Sequence, residues 1–143
     1  LQNIIKLFEN AFLEFNLEKI KTVGDAIVAV SGLSSFDTQS VKSCVNCGYK
    51  LKEIAASLEM PWDLHIGIHY GSLVAGTVGD KTVQYDILGQ NVNIAFNICD
   101  ISEPNQILIS NDAYMTVRHE INVKSIGIKK LKSGKETEIL ECI

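Results

Sequence analysis

The order of helical and extended patterns in the sequence predicts an α+β fold with a ferredoxin-like βαββαβ core whose first strand is missing. Three observations predict it: a helical stripe at the start, an apolar hairpin at 17–31, and a long helix followed by an alternating strand at 64–69. This succession of helix, strand, strand, helix and strand is the order of that core after its first strand. We expect extra C-terminal strands and helices beyond it.

The first helix is predicted by apolar residues that recur at three- and four-residue spacing. They are Leu1, Ile4, Ile5, Phe8, Ala11, Phe12 and Phe15. No Ser, Thr or Asp cap precedes the stripe, and the chain does not start with Met. We therefore expect that the chain begins inside a helix and that an N-terminal strand belongs upstream of Leu1.

A hairpin is predicted over strands 17–23 and 26–31, joined by Gly24 and Asp25. Glycine tolerates the positive φ that a two-residue turn demands. The apolar flanks predict a mostly buried hairpin, where a carboxylate is costly unless it is paired, hydrogen-bonded or bound to a metal. Ordinary turn chemistry would also explain an aspartate here, so the hairpin alone leaves the role of Asp25 open.

The second helix is predicted to begin at a cap formed by Asp37 or Thr38 and to end before Pro61. Its expected buried face consists of Val41, Cys44, Val45, Gly48, Leu51, Ala55 and Leu58. The strand at 64–69 follows, and SLVAGTVG continues as a second extended run toward a turn at Asp80–Lys81. The remaining predictions are a strand at 85–88, a helix at 90–101, a strand at 106–109, a short helix capped by Ser110, and strands at 122–130 and 137–142.

Composition limits the function classes. The chain has 143 residues, 46% hydrophobic and 21% charged, which predicts a single domain over 1–143 with a real core. Its formal net charge of −4 argues against a broad basic surface for nucleic acid or anionic membrane. No apolar run approaches the length of a membrane span, so we expect no membrane contact by this domain.

Two residue pairs resemble metal ligands but are not predicted to bind a metal. Cys44 and Cys47 form a CxxC without a second pair, so small core residues with reduced thiols in an intracellular compartment are expected. His65 and His69 are four residues apart in a strand, roughly 13 Å, which is too far for one metal ion.

Four segments together resemble the catalytic domain of class III adenylyl and guanylyl cyclases. They are EKIKTVGDAIVAVSGL (18–33), LHIGIHYGSLVAGTVG (64–79), YDILGQNVNIA (85–95) and PNQILIS (104–110). The resemblance covers nearly the whole chain in one order and spacing. It implies the class III nucleotide cyclase fold and an adenylate cyclase, a phosphorus–oxygen lyase that forms 3′,5′-cyclic AMP and pyrophosphate from ATP in cyclic nucleotide signalling.

The resemblance also implies a head-to-tail homodimer with nucleotide sites at the interface and two Mg²⁺ or Mn²⁺ ions in each site. The ions assist attack of the ribose 3′-hydroxyl on the α-phosphate. Asp25 matches one metal-binding aspartate. The second belongs to an FxDxxGF-like segment on the family's first strand, which this sequence does not contain. We therefore expect a cyclase domain that lacks its first metal-binding segment, upstream of Leu1, and is inactive alone.

Lys21 and Asp86 match the family positions that read the base. Adenine offers N1 as an acceptor and its N6 amine as a donor, which suit a lysine and a carboxylate respectively. Guanine presents N1–H, a donor, and O6, an acceptor, at the same two places. In the guanylyl cyclases of this family, a glutamate stands at the position that Lys21 matches. The resemblance therefore favours ATP, with a guanylate cyclase as the less favoured alternative.

Asn93 matches the asparagine that orients the ribose, and Lys132 matches a phosphate-binding lysine. Asn97 stands where the family usually carries an arginine, and Arg118, the only arginine of the chain, lies elsewhere. An alternative is therefore a degenerate cyclase homology domain that acts as a nucleotide-binding or dimerising regulatory module. In either case the resemblance implies a cytoplasmic domain with an upstream regulatory domain, in a protein that a membrane could tether.

Overall fold

The computed structural model describes residues 2–33, 39–78 and 84–143. Its elements are α1 (Gln2–Glu14), β1 (Leu17–Val23), β2 (Ala26–Ser31), α2 (Ser40–Ser57), β3 (Ile66–Ile68), β4 (Val74–Val78), β5 (Gln84–Leu88), α3 (Gln90–Ile101), β6 (Ile107–Ser110), α4 (Asn111–Tyr114), β7 (Val123–Lys130) and β8 (Glu136–Cys142). Every predicted helix and strand is present, although the strand predicted over 64–69 is shorter. The predicted cap at 37–38 and turn at 80–81 lie outside the described residues.

The strands of the described residues form three sheets. β1 and β2 are an antiparallel hairpin, β4 and β5 are a second antiparallel pair, and the largest sheet has the order β3-β6-β8-β7. Within that sheet β3 and β6 run parallel. β2 and β3 are not hydrogen-bonded to each other, yet α2 packs on both.

α2 lies between two hydrophobic clusters and joins the hairpin to the larger sheet. Val41 and Val45 pack against β3 and β6, while Cys47 and Ala55 pack against α1 and β1. The helix begins after Gln39, whose side chain makes no capping hydrogen bond. Its stability therefore comes from these buried contacts rather than from a side-chain cap.

α3 lies directly on the backbone of β3 because Gly67 has no side chain. A Cβ atom at Gly67 would lie 2.4 Å from the backbone nitrogen of Cys99 and 2.8 Å from the carbonyl oxygen of Ala95. Only glycine therefore permits this approach. The helix that carries Asn93 and Asn97 is thus fixed against the sheet at its middle.

The tip of the β1–β2 hairpin is exposed, which corrects the expectation of a mostly buried hairpin. Val23 is 47% exposed, and Gly24 and Asp25 are also exposed. The apolar pattern predicted the strands, and Ile27 and Ala29 of β2 pack against the cluster that α1 and α2 form, but this packing does not extend to the turn. Gly24 has the predicted positive φ, at 60°.

Cys44 and Cys47 pack in or against the hydrophobic core, as predicted, and neither forms a disulfide bond within the described residues. Cys47 is buried, and burial raises its pKa to about 11. Cys44 is half-buried between two clusters.

In the part of the chain that the structure describes, no helix is long and apolar enough to span a membrane.

Candidate active site

A β-bulge in β1 directs two neighbouring lysines to different elements. Lys19 is opposite Ala29 and Lys21 is opposite Val28, so β1 contains one residue more than β2 between these pairs. Such an insertion re-aims the side chains on either side of it. Accordingly, Lys19 Nζ contacts Glu9 of α1 at 2.9 Å, and Lys21 Nζ contacts Asp86 of β5 at 2.9 Å.

The Asp86 carboxylate is held in its ionised form. Its Oδ1 atom accepts a hydrogen bond from the Ile87 backbone N–H at 2.8 Å as well as contacting Lys21. The hydrogen bond from Lys21, followed by that from Ile87, lowers the pKa of Asp86 below its ordinary value. Gly76 lies opposite Asp86 on β4, and no atom of the described residues lies within 4 Å of the place where a Cβ of Gly76 would be.

Asp25 projects from the hairpin turn as an exposed carboxylate. Its charge is one of the causes that raise the pKa of the Cys99 thiol, after burial and the charge of Asp100. A carboxylate suits Mg²⁺ or Mn²⁺, and Mg²⁺ is commonly held by one or two carboxylates together with substrate phosphates.

The donor set for metal is incomplete in the described residues. Across 2–33, 39–78 and 84–143, no group of three or more His, Cys, Asp or Glu side chains could hold a metal ion. His65 and His69, which were not expected to share a metal, contact Ser102 and Ser110 respectively. Within the described residues, Asp25 therefore belongs to no cluster of three or more metal-ligating side chains.

Asn93 and Asn97 lie one turn apart on α3. Asn93 is exposed in the first turn, which follows Gly89 with its φ of 134°. Asn97 is half-buried, and its Oδ1 atom accepts a hydrogen bond from the backbone N–H of Ser133 at 3.1 Å. The residue at the expected arginine position therefore binds the loop between β7 and β8.

That loop, residues 131–135, carries Lys132 at an exposed position. Backbone hydrogen bonds join Leu131 N–H to the Lys135 carbonyl at 2.9 Å and Gly134 N–H to the Leu131 carbonyl at 2.8 Å. Leu131 is buried in the same cluster as Ile94 and Ile98 of α3. The loop is thus packed on the helix that carries the two asparagines.

The structure brings the predicted site residues together in two groups. Lys21 contacts Asp86, and Asn97 contacts the loop of Lys132, while Asn93 shares α3 with Asn97. Among the residues that the structure describes, no hydrogen bond or ion pair joins Asp25 to either group. Reasoning from the sequence missed the hydrogen bonds of His69, because its partners are 22 and 41 residues away.

A model of the adenylate and guanylate cyclase catalytic domain family matches residues 1–141. The chain belongs to this family. This cyclase domain is 33% identical over 119 residues to a membrane guanylyl cyclase of Dictyostelium discoideum, covering 80% of this chain and 8% of that protein. It is 28% identical over 142 residues to an adenylate cyclase of Mycobacterium bovis, covering 91% and 32% respectively. The cyclase domain thus spans a third or less of these relatives.

Solved structures confirm the class III cyclase fold. The guanylate cyclase domain of RhGC from Catenaria anguillulae, in complex with GTP, matches with a TM-score of 0.95 at 18% identity, covering 99% of this chain and 80% of that one. The adenylyl cyclase CyaB from P. aeruginosa matches with a TM-score of 0.89 at 22% identity, covering 99% and 79%. Both base specificities occur among the similar proteins, so membership of the family does not select ATP or GTP.

Proposed function

We propose that this cyclase domain converts ATP to 3′,5′-cyclic AMP and pyrophosphate. The observation that carries the choice of ATP is the 2.9 Å contact between Lys21 Nζ and Asp86 Oδ1. It places a hydrogen-bond donor and an acceptor side by side on neighbouring strands. The pair leaves groups free for a ligand, because an ammonium has three donors and a carboxylate has about four acceptor positions.

Adenine is complementary to this pair. Its Watson–Crick edge presents N1, an acceptor, beside the N6 amine, a donor, so Lys21 would donate to N1 while Asp86 accepts from N6. The lowered pKa of Asp86 supports this role, since the carboxylate must be ionised to act as an acceptor only. The side chains remain 32% and 22% exposed, which leaves them accessible to a base.

Guanine would meet the same two side chains with the wrong groups. Its N1–H would face the Lys21 ammonium, and its O6 would face the Asp86 carboxylate. Polar groups left unpaired in this way discriminate between ligands by roughly 10⁴-fold. The ion pair therefore favours ATP over GTP.

The reaction is an in-line displacement within one nucleotide. The ribose 3′-oxygen loses its proton and bonds to the α-phosphorus, and the bond from that phosphorus to the bridging oxygen of pyrophosphate breaks. Two bound Mg²⁺ or Mn²⁺ ions would stabilise charge on the attacking and leaving oxygens. In this proposal Asp25 holds metal, Asn93 orients the ribose, and Lys132 binds phosphate.

A homodimer is part of the proposal. Val74 and Leu88 are opposite each other on the two-stranded β4–β5 sheet and are 68% and 53% exposed. Such a pair of apolar side chains is suited to burial against a second copy. A shared site would also bring Asp25 of one subunit to the Lys21–Asp86 pair of the other.

The placement of the domain in its protein is also proposed. We place it in the cytoplasm, where ATP is available, with a regulatory domain upstream. The support is the small share of the relatives that the domain matches, 8% of the Dictyostelium protein and 32% of the mycobacterial one, which leaves room for further domains. Membrane attachment would then come from a part of the protein outside this domain.

The test of base choice compares two substrates. With Mn²⁺, the full-length protein should form cyclic AMP from ATP at a kcat/KM roughly 10⁴-fold above that for cyclic GMP from GTP. Product formation is measured by chromatography at matched nucleotide concentrations. Equal values for the two nucleotides would remove the roles assigned to Lys21 and Asp86.

A second candidate function is a cyclase-like regulatory module that binds nucleotide without turnover. Asn97 favours it, because this side chain is uncharged and its Oδ1 atom is occupied by Ser133 N–H. An arginine that stabilises phosphoryl-transfer charge can contribute 10³-fold or more to kcat. Without one, the charge would have to be stabilised by Lys132, the lysine that this proposal assigns to the phosphate.

Replacing Asn97 separates these candidates. Asn97→Arg should raise kcat for ATP by about 10-fold or more relative to Asn97→Ala, with little change in KM, because the added charge acts on the transition state. Asn97→Ala is the matched control, since both variants lose the hydrogen bond to Ser133. Equal kcat values in two folded variants would show that an arginine here does not reach the reacting phosphate.

A further inference from the structure

His69 is the centre of a chain of hydrogen bonds that ends at the first turn of α3. Its Nδ1 atom is 2.7 Å from Ser110 Oγ, and its Nε2 atom is 2.8 Å from Asn91 Oδ1. Asn91 in turn donates from Nδ2 to the carbonyl oxygen of Ser72 at 2.7 Å. The ring thereby connects the cap of α4, the segment after β3 and the start of α3.

The direction of each hydrogen bond follows from the outer partners. Ser110 Oγ accepts from the backbone N–H of Ala113 at 3.1 Å, which leaves its hydroxyl hydrogen to donate to His69 Nδ1. Asn91 uses its amide hydrogens toward Ser72, so its Oδ1 atom accepts from His69 Nε2–H. His69 therefore carries a proton on Nε2. Burial lowers the pKa of its imidazole and favours the neutral ring, in which Nδ1 accepts from the Ser110 hydroxyl.

Gly71 fixes the other side of Asn91. A Cβ atom at Gly71 would lie 2.4 Å from Asn91 Cγ, so the amide packs directly against the glycine backbone. Asn91 is therefore held by His69, by the Ser72 carbonyl and by this close contact. Because it lies two residues before Asn93 in the first turn of α3, these contacts fix the position of that turn.

We propose that His69 and Asn91 are positioning residues for Asn93, so that the orientation of the ribose depends on this hydrogen-bond chain. The inference rests on the proposed cyclase function, in which Asn93 acts on the ribose. Gly67 fixes the middle of α3 on β3, whereas the first turn has no side-chain cap. Asn91 tethers this end of the helix to His69 and to the Ser72 carbonyl.

Kinetics of the full-length protein test the proposal. His69→Ala and Asn91→Ala should each lower kcat for ATP by at least about 10-fold with little change in KM, since a displacement of about 1 Å can cost 10²-fold. In an Asn93→Ala background the same substitutions should have less than about a twofold effect, because coupled residues are non-additive. Full additivity of the two effects would overturn the proposal.

His65→Ala is the matched control. His65 precedes the same strand, and its Nδ1 atom contacts Ser102 at the far end of α3 at 2.9 Å. This variant should keep kcat within about twofold of the wild type, because its contact lies at the opposite end of α3 from Asn93 and distant sites act independently. If it loses as much kcat as His69→Ala, the proposal fails in favour of a general loss of structure. If His69→Ala does not fold, the kcat of Asn91→Ala tests the proposal in its place.

Nuclear magnetic resonance gives a readout that needs no turnover. The ¹⁵N shifts of His69 should show a proton on Nε2, and the side-chain amide of Asn93 should shift in Asn91→Ala but not in His65→Ala. An Nδ1 proton or an unmoved Asn93 amide would contradict the positioning role. If the protein gives the expected NMR shifts but makes no cyclic nucleotide, the proposed function is refuted while the positioning of Asn93 by this hydrogen-bond chain stands.

Discussion

Lys21→Glu is expected to lower kcat/KM for ATP by about 10³- to 10⁴-fold. The substitution removes the donor proposed for adenine N1 and places a second carboxylate beside Asp86. Like charges at that distance disfavour ionisation, so the pKa of Asp86 should rise and its role as an acceptor should weaken. Initial rates of cyclic AMP formation by the full-length protein measure the effect.

Lys19→Glu provides the control for this result. Lys19 is two residues earlier in β1, makes an ion pair of the same length, and has a side chain of similar exposure, 31% against 32% for Lys21. The reversed charge would repel Glu9 of α1 instead of Asp86. Its kcat/KM for ATP should stay within a few-fold of the wild type, because exposed ion pairs contribute little to stability. A comparable loss in both variants would show that the effect of Lys21→Glu is not specific to the base.

The bulge behind this contrast could not be predicted from the sequence. Lys19 and Lys21 alternate with Ile20, so regular strand geometry places both lysines on one face. Neither glycine nor proline marks an irregularity in β1. The bulge arises from pairing with β2, which is a tertiary property, and it alone separates the Glu9 contact from the Asp86 contact.

Local patterns predicted the elements well, because each one is encoded within a few residues. The hairpin strands have the predicted ends, and Ser110 caps α4 by accepting from Ala113 N–H, as expected. The exposure of Asp25 was predicted wrongly. An apolar strand predicts that other elements pack against it, but it does not predict how far along the strand this packing extends. Contacts between distant residues, such as His69 with Asn91, have no local signature.

The contact of Asn97 with Ser133 also changes how that position is understood. From the sequence it was only the absence of an arginine. In the structure its carbonyl oxygen holds the loop of Lys132 against α3. A charged substitution at this position therefore changes two things at once, the charge near the proposed phosphate site and the placement of a lysine.

The shared site leads to the second large effect, restoration of activity from two inactive proteins. In the proposed homodimer, Asp25 comes from one subunit, while Lys21, Asp86, Asn93 and Lys132 come from the other. Asp25→Ala therefore inactivates both sites of a homodimer, and so does Asn93→Ala. In a heterodimer of the two variants, one site contains both substitutions and the other site contains neither, so the second site is intact.

Mixing the two full-length variants under conditions of subunit exchange should restore roughly a quarter of wild-type activity, since half of randomly paired dimers are heterodimers and each has one intact site. The matched control mixes Asn93→Ala with Lys21→Glu. Both lesions then lie on the same side of the site, so each site of their heterodimer retains one lesion and the mixture should stay inactive. Wild-type protein taken through the same exchange must keep its activity. Restoration in both mixtures, or in neither, would exclude a site in which Asp25 faces the Lys21–Asp86 pair across the dimer interface.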